Sequence, residues 1–136
     1  MIPWRRIGLA LGAIGLVDSL YLSANSLDES VQLVCPNTGV INCGTVTSSL
    51  YSRVLGIPVA LLGAIWFAIM VALIYTNRPS YTIVLVPLWV SGMAFAGYLI
   101  FVELSVLHAI CLYCTLAHVI AVLHGAPAIK LALEGG

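Results

Sequence analysis

Two pairs of cysteines carry the chemistry that this sequence can offer. Cys35 and Cys43 have seven residues between them, and Cys111-Leu112-Tyr113-Cys114 is a C-x-x-C. The chemistry is thiol–disulfide exchange. In a helix, residues i and i+3 share a face and lie close enough for a disulfide after local adjustment. A thiol at a helix start also meets unpaired N–H groups and the positive end of the helix dipole, which stabilise a thiolate. If the helix runs inward from the C-x-x-C, Cys114 lies about 4.5 Å deeper than Cys111. The shallower sulfur then suits exchange with a loop cysteine, and the deeper one suits a lipid-soluble acceptor. Three other readings compete. A structural zinc site would need all four cysteines as ligands, with one pair embedded in an apolar segment. Haem attachment needs a histidine directly after the second cysteine, where Thr115 stands. Two inert disulfides would explain the loop pair, but a helix needs no staple across a C-x-x-C.

The elements that position these cysteines are written in the composition. Of 136 residues, 62% are hydrophobic and only 7% charged, against roughly 25% charged in soluble domains. Such a surface belongs in lipid, and about 20 helical residues cross the hydrocarbon core. Formal net charge is zero, with no basic run to suggest nucleic acid. Apolar stretches predict spans at about 5–25, 57–76, 81–102 and 108–129. The segment from Tyr81 to Ile129 is too long for one helix and must turn back tightly near Glu103 to His108. Four strands cannot close a barrel, so the spans are helices. The expected fold is an all-α integral membrane protein: one domain, a four-transmembrane-helix bundle over residues 1–136, with an outer loop at 25–56 carrying a short helix. Ser48 and Ser49 are placed to cap that helix through Leu50, Tyr51, Val54 and Leu55, and Gly56-Ile57-Pro58 ends it and starts the next span.

Orientation follows from the basic residues. Arg5, Arg6, Arg78 and Lys130 fall on one side of a four-span chain, and Arg53 alone on the other. The positive-inside rule puts the richer side in the cytoplasm, so both termini are expected there and the cysteine loop outside. An even cysteine count in an extracytoplasmic setting fits an oxidising compartment. Arg5-Arg6 followed by an apolar stretch also resembles a cleavable signal peptide. Leu22 is too bulky for the small-residue position of such a site before Asn25, so a retained helix is expected. Among other ionisable groups, Asp18 is an intramembrane acid and a candidate for a quinone or proton role, or for a hydrogen bond to a neighbouring hydroxyl or backbone group. His118 shares a face with Cys114 at i, i+4 and is a candidate to hydrogen-bond or protonate the acceptor, or else to bond a neighbouring helix. Glu103 and His108 are read as the wet outer turn, His124 as interfacial near the inner end, and Trp4 as an interfacial anchor.

At these residues the sequence resembles the vitamin K epoxide reductase family, in particular its short prokaryotic members. The shared order is two loop cysteines after the first span, then C-x-x-C on the fourth: Cys35, Cys43, Cys111, Cys114. Ser49 stands six residues after the second loop cysteine, where the family places a serine near the quinone. Asp18-Ser19-Leu20-Tyr21-Leu22, Gly56-Ile57-Pro58 and Gly63 also match the prokaryotic pattern. The resemblance implies that Cys35 exchanges with an external thioredoxin-like partner and that Cys43 passes electrons to Cys111. Cys114 would then reduce a membrane quinone, such as menaquinone or ubiquinone, with Ser49, His118 and Asp18 as candidate quinone contacts and no metal. Animal relatives carry tyrosine where His118 stands. Because the sequence ends at Gly136 without a fused thioredoxin-like domain, a separate partner is expected. Two rival readings are a disulfide-stapled membrane assembly subunit without enzymatic activity, and a permuted form of the bacterial quinone-coupled disulfide-forming proteins, whose C-x-x-C precedes the separated pair.

Overall fold

The computed structural model describes residues 3–28, 30, 34–35, 39–47, 49–76 and 78–135. Ser48, offered as a cap, lies outside the described residues, as do Glu29 and Pro36 of the outer loop. Four helices are long and apolar enough to cross a membrane, over Trp4–Leu27, Val59–Thr76, Pro79–Leu107 and Leu112–Glu134. The first is α1 (Trp4–Leu27), longer at both ends than expected. Within the loop come α2 (Cys43–Thr47), a 3-10 turn at Leu50–Ser52, and a two-stranded hairpin of β1 (Arg53–Val54) and β2 (Ile57–Pro58). Then follow α3 (Val59–Thr76), α4 (Pro79–Phe101) with a π-helical turn at Val102–Leu107, α5 (Leu112–Leu123) and α6 (Gly125–Gly135).

Helix α1 packs most extensively on α3, and glycine makes the approach possible. Gly8, Gly12 and Gly15 are buried along one face of α1. A Cβ on Gly15 would lie 2.4 Å from the Phe67 ring, so only a bare backbone fits there. Near the N-terminus Arg5 donates to the carbonyls of Ile74 and Tyr75, filling acceptors that the last turn of α3 leaves open. Trp66 donates its indole N–H to the Leu88 carbonyl of α4, and Trp89 to Ala121 of α5, so each of these half-buried aromatics keeps a partner in an apolar setting. The outward faces stay apolar: Val17, Ile83 and Leu133 are exposed, as lipid-facing side chains are.

Three expectations are corrected. The outer-loop helix is not at Leu50–Leu55 but at Cys43–Thr47, where Asn42 Oδ1 accepts from Thr45 N–H at 3.1 Å and caps it. The chain at 50–58 makes a 3-10 turn and a hairpin instead, because Leu55 and Gly56 both adopt positive φ, the turn a two-residue hairpin requires. Pro58 accordingly ends β2 just before α3. Second, His124 is not interfacial. It is fully buried between α1 and α3, with Nε2 at 2.8 Å from the Gly8 carbonyl, and it marks the bend between α5 and α6. Third, Glu103 is not in water: it is 6% exposed, inside the π-helical turn, while His108 is exposed and closes that turn at φ 51°.

Candidate thiol–disulfide site

The site begins with how the chain enters α5. Cys111 lies just outside the span, extended, as the N-cap of α5, and its sulfur accepts the Cys114 N–H at 3.2 Å. The sulfur thus takes the place of the oxygen that usually caps a helix. The Cys114 thiol and that N–H hold Cys111 below the usual thiol range, against its burial and the charge of Glu103. Cys111 is completely buried, whereas Cys114, one turn inward, is half-buried and opens onto a cavity.

The loop that carries Cys35 and Cys43 is pinned onto this cap by backbone pairing. Ile110 N–H donates to Val40 O at 2.8 Å and Asn42 N–H to Ile110 O at 2.9 Å, a short parallel bridge one residue from both Cys43 and Cys111. Cys43 and Cys111 therefore fall in one buried cluster with Leu22, Val46 and Ala109, and Cys35 and Cys114 pack against it. Cys35 and Cys43 form a disulfide, and Cys111 and Cys114 are thiols. Tyr21 and Tyr113 meet edge to face at 5.3 Å, and both hold the Val34 backbone beside Cys35: Tyr113 donates to its carbonyl and Val34 N–H donates to the Tyr21 hydroxyl at 3.2 Å. Neither tyrosine stood out as a site residue in the sequence. Tyr113 is an unspecified position of the C-x-x-C, and only the folded loop gives it a partner.

Beneath the loop is a cavity of about 370 Å³, walled mostly by apolar side chains of α1, α3, α4 and α5. Its polar lining includes Cys114, Ser49, His118, Ser19 and Glu103. Ser49 donates its hydroxyl to Val46 O at 2.8 Å at the end of α2; its side chain caps no helix N-terminus. Asp18 does not line this cavity. It is buried on α1 beside Ser19, and among the described residues its Oδ2 has no hydrogen-bond partner. Of the residues picked out in the sequence, the fold thus gathers the four cysteines, Ser49 and His118 at one end of the bundle. Among the described residues no cluster of His, Cys, Asp and Glu is arranged to hold a metal.

A family model described as the vitamin K epoxide reductase family matches residues 6–126. The chain belongs to that family. Membership makes it a multi-pass membrane thiol oxidoreductase, and the vitamin K epoxide reductase match runs from the first turn of α1 through α5, leaving most of α6 beyond it. A buried cap sulfur, a loop disulfide beside it and an apolar cavity under the deeper thiol are features such an enzyme can use.

Proposed function

We propose that this member of the vitamin K epoxide reductase family oxidises an extracytoplasmic thioredoxin-like protein and passes two electrons to a membrane quinone. The observation that carries the reading is the placement of Cys114: its sulfur opens onto an apolar cavity within the bundle, while Cys111 is clustered with Cys43. A cavity of about 370 Å³ lies within the range of small-molecule sites, roughly 300–1,000 Å³, and suits a quinone ring. Ser49 and His118 supply hydrogen-bonding groups at its wall, and the surrounding apolar side chains exclude water. Asp18 is set outside this lining and is not a ring contact in this reading.

Exchange proceeds through mixed disulfides. A thiolate of the partner attacks the Cys35–Cys43 disulfide at Cys35 and releases Cys43 as a thiol; the second partner thiol then frees Cys35. Cys43 next attacks a Cys111–Cys114 disulfide at Cys111, releasing Cys114, and Cys35 resolves the mixed disulfide, restoring Cys35–Cys43 and leaving Cys111 and Cys114 reduced. That reduced state, with the loop pair oxidised, is the arrangement of the structure. The bound quinone would accept the two electrons and two protons of this dithiol as quinol. The loop and its cysteines face the extracytoplasmic side, and the end bearing Arg5, Arg6, Arg78 and Lys130 faces the cytoplasm.

The test is an anaerobic titration of the purified protein with a reduced thioredoxin-like protein and a quinone. One quinol should appear per partner disulfide formed. Disulfide formation without quinol would sink the quinone reading, and inert cysteines would favour a stapled assembly subunit.

A further inference from the structure

Glu103 is a buried acid that the reaction above leaves without a role. It lies in the π-helical turn Val102–Leu107, a widened turn of the kind often found at functional sites. Its backbone carbonyl accepts from His108 and from Ala109, closing the turn. Its side chain reaches the other way: Oε2 accepts the Cys111 N–H at 3.4 Å. Glu103 and His118 line both the main cavity and a second, more open groove walled by Ile100, Leu104 and Ile110. No lysine or arginine lines either space, so nothing there neutralises a carboxylate. The ionisable groups facing it are Cys111, Cys114 and His118 at α5 and Tyr51 from the loop, while α3 supplies none to the lining and Asp18 is buried on α1 outside it.

A carboxyl and a thiol in one buried site without a cation cannot both be charged cheaply, so they share a proton. Cys111 and Glu103 are such a pair, joined by the hydrogen bond from the Cys111 N–H to the Glu103 carboxylate, whose charge opposes a thiolate at Cys111. We propose that Glu103 takes the proton of Cys111 as the Cys111–Cys114 disulfide closes, and returns it across the cavity to the reduced acceptor. The proposal rests on the quinone reading above. The step balances. Two thiols become one disulfide, releasing two electrons and two protons, and a quinone becomes a quinol. The Cys111 proton passes to the Glu103 carboxylate, leaving a thiolate, and from the carboxylic acid to one oxygen of the product. The Cys114 proton leaves into the cavity that Cys114 itself lines and reaches the other oxygen.

The experiment uses the full chain in detergent, in a Cys35→Ala, Cys43→Ala background so that only Cys111 and Cys114 report. Closure of the dithiol is followed against pH with a small disulfide oxidant, and quinol formation is followed in parallel. Glu103→Gln keeps the hydrogen bond to Cys111 N–H but cannot accept a proton. It should slow closure near neutral pH on the order of a hundredfold, and the deficit should vanish at high pH, where Cys111 ionises unaided. Glu103→Asp should recover much of the rate with a displaced pH profile, and serves equally if the glutamine variant folds poorly. A glutamine profile superimposable on the parent overturns the proposal. So does a loss of the same factor at every pH, which marks a structural staple. Closure with the oxidant but no quinol in the parent protein refutes the quinone reading and the return step, and the oxidant profile alone then decides whether Glu103 takes the Cys111 proton.

Discussion

Cys111 and Cys114 are three residues apart yet occupy different worlds: one caps a helix against the loop cluster, the other faces the cavity. The relay order follows from that division. The exchange is reversible, so Cys111 also attacks the loop disulfide at Cys43, and Cys114 then frees Cys43 by closing on Cys111; Cys114→Ser removes that exit and should accumulate a Cys43–Cys111 mixed disulfide and lose quinone reduction. Non-reducing peptide mapping reads the bond directly, and a Cys35–Cys111 bond instead would exchange the roles of the loop cysteines. Cys35→Ser should keep quinone chemistry with a small reductant but fail with a protein partner. At the cavity wall, Ser49→Ala and His118→Ala should each slow quinone reduction several-fold, since a lost neutral hydrogen bond costs on the order of 1 kcal/mol, while thiol exchange persists. Unchanged quinone kinetics in both would leave Ser49 as a turn residue bonded to Val46 and His118 as packing.

Among the elements, the α1–α3 contact holds the bundle together beneath the site. Its closeness depends on glycine, and the ring of Phe67 occupies the space a side chain at position 15 would need. Gly15→Leu should therefore destabilise the bundle by about 1–3 kcal/mol, as overpacking in a dense core does. A lowered thermal midpoint in detergent would show it, whereas an unchanged midpoint would mean that α1 slides without cost. The outer elements work differently. The Ile41–Ile110 bridge and the Tyr113 to Val34 hydrogen bond hold the loop by backbone atoms, so the cysteines are registered against α5 independently of the side chains between them.

For the whole molecule, the two ends of the bundle differ in charge and chemistry. Arg5 meets the end of α3 at one end, and Arg53 bonds the Ser26 and Gly56 carbonyls at the other, beside the cysteine loop. After reduction, impermeant thiol reagents should label the protein from outside the cell. Burial orders the response: half-buried Cys35 should react first, with Cys43, Cys111 and Cys114 slower. Labelling only from the cytoplasmic face would reverse the orientation. The packing of α1 also bears on processing, because cleavage before Asn25 would strip α3 of its principal neighbour. The α1 segment before Asn25 is therefore expected to stay in the mature protein, and an N-terminus mapped near Asn25 would contradict it.

Composition and apolar run length were enough to determine a four-helix membrane protein, because lipid leaves a chain few ways to satisfy its backbone and helix length is set by bilayer thickness. The cysteine order and spacing were likewise legible, being properties of the chain alone. What lay beyond the sequence was depth and pairing between segments far apart. Glu103 reads as a polar turn residue until the π-helical turn carries it inward to Cys111, and His124 reads as interfacial until α1 offers the Gly8 carbonyl. Leu50–Leu55 has helical spacing, yet positive φ at Leu55 and Gly56 folds it as a hairpin. Burial of a polar group depends on whether a distant segment brings it a partner, and no local pattern of residue types records that; only the tertiary fold decides it.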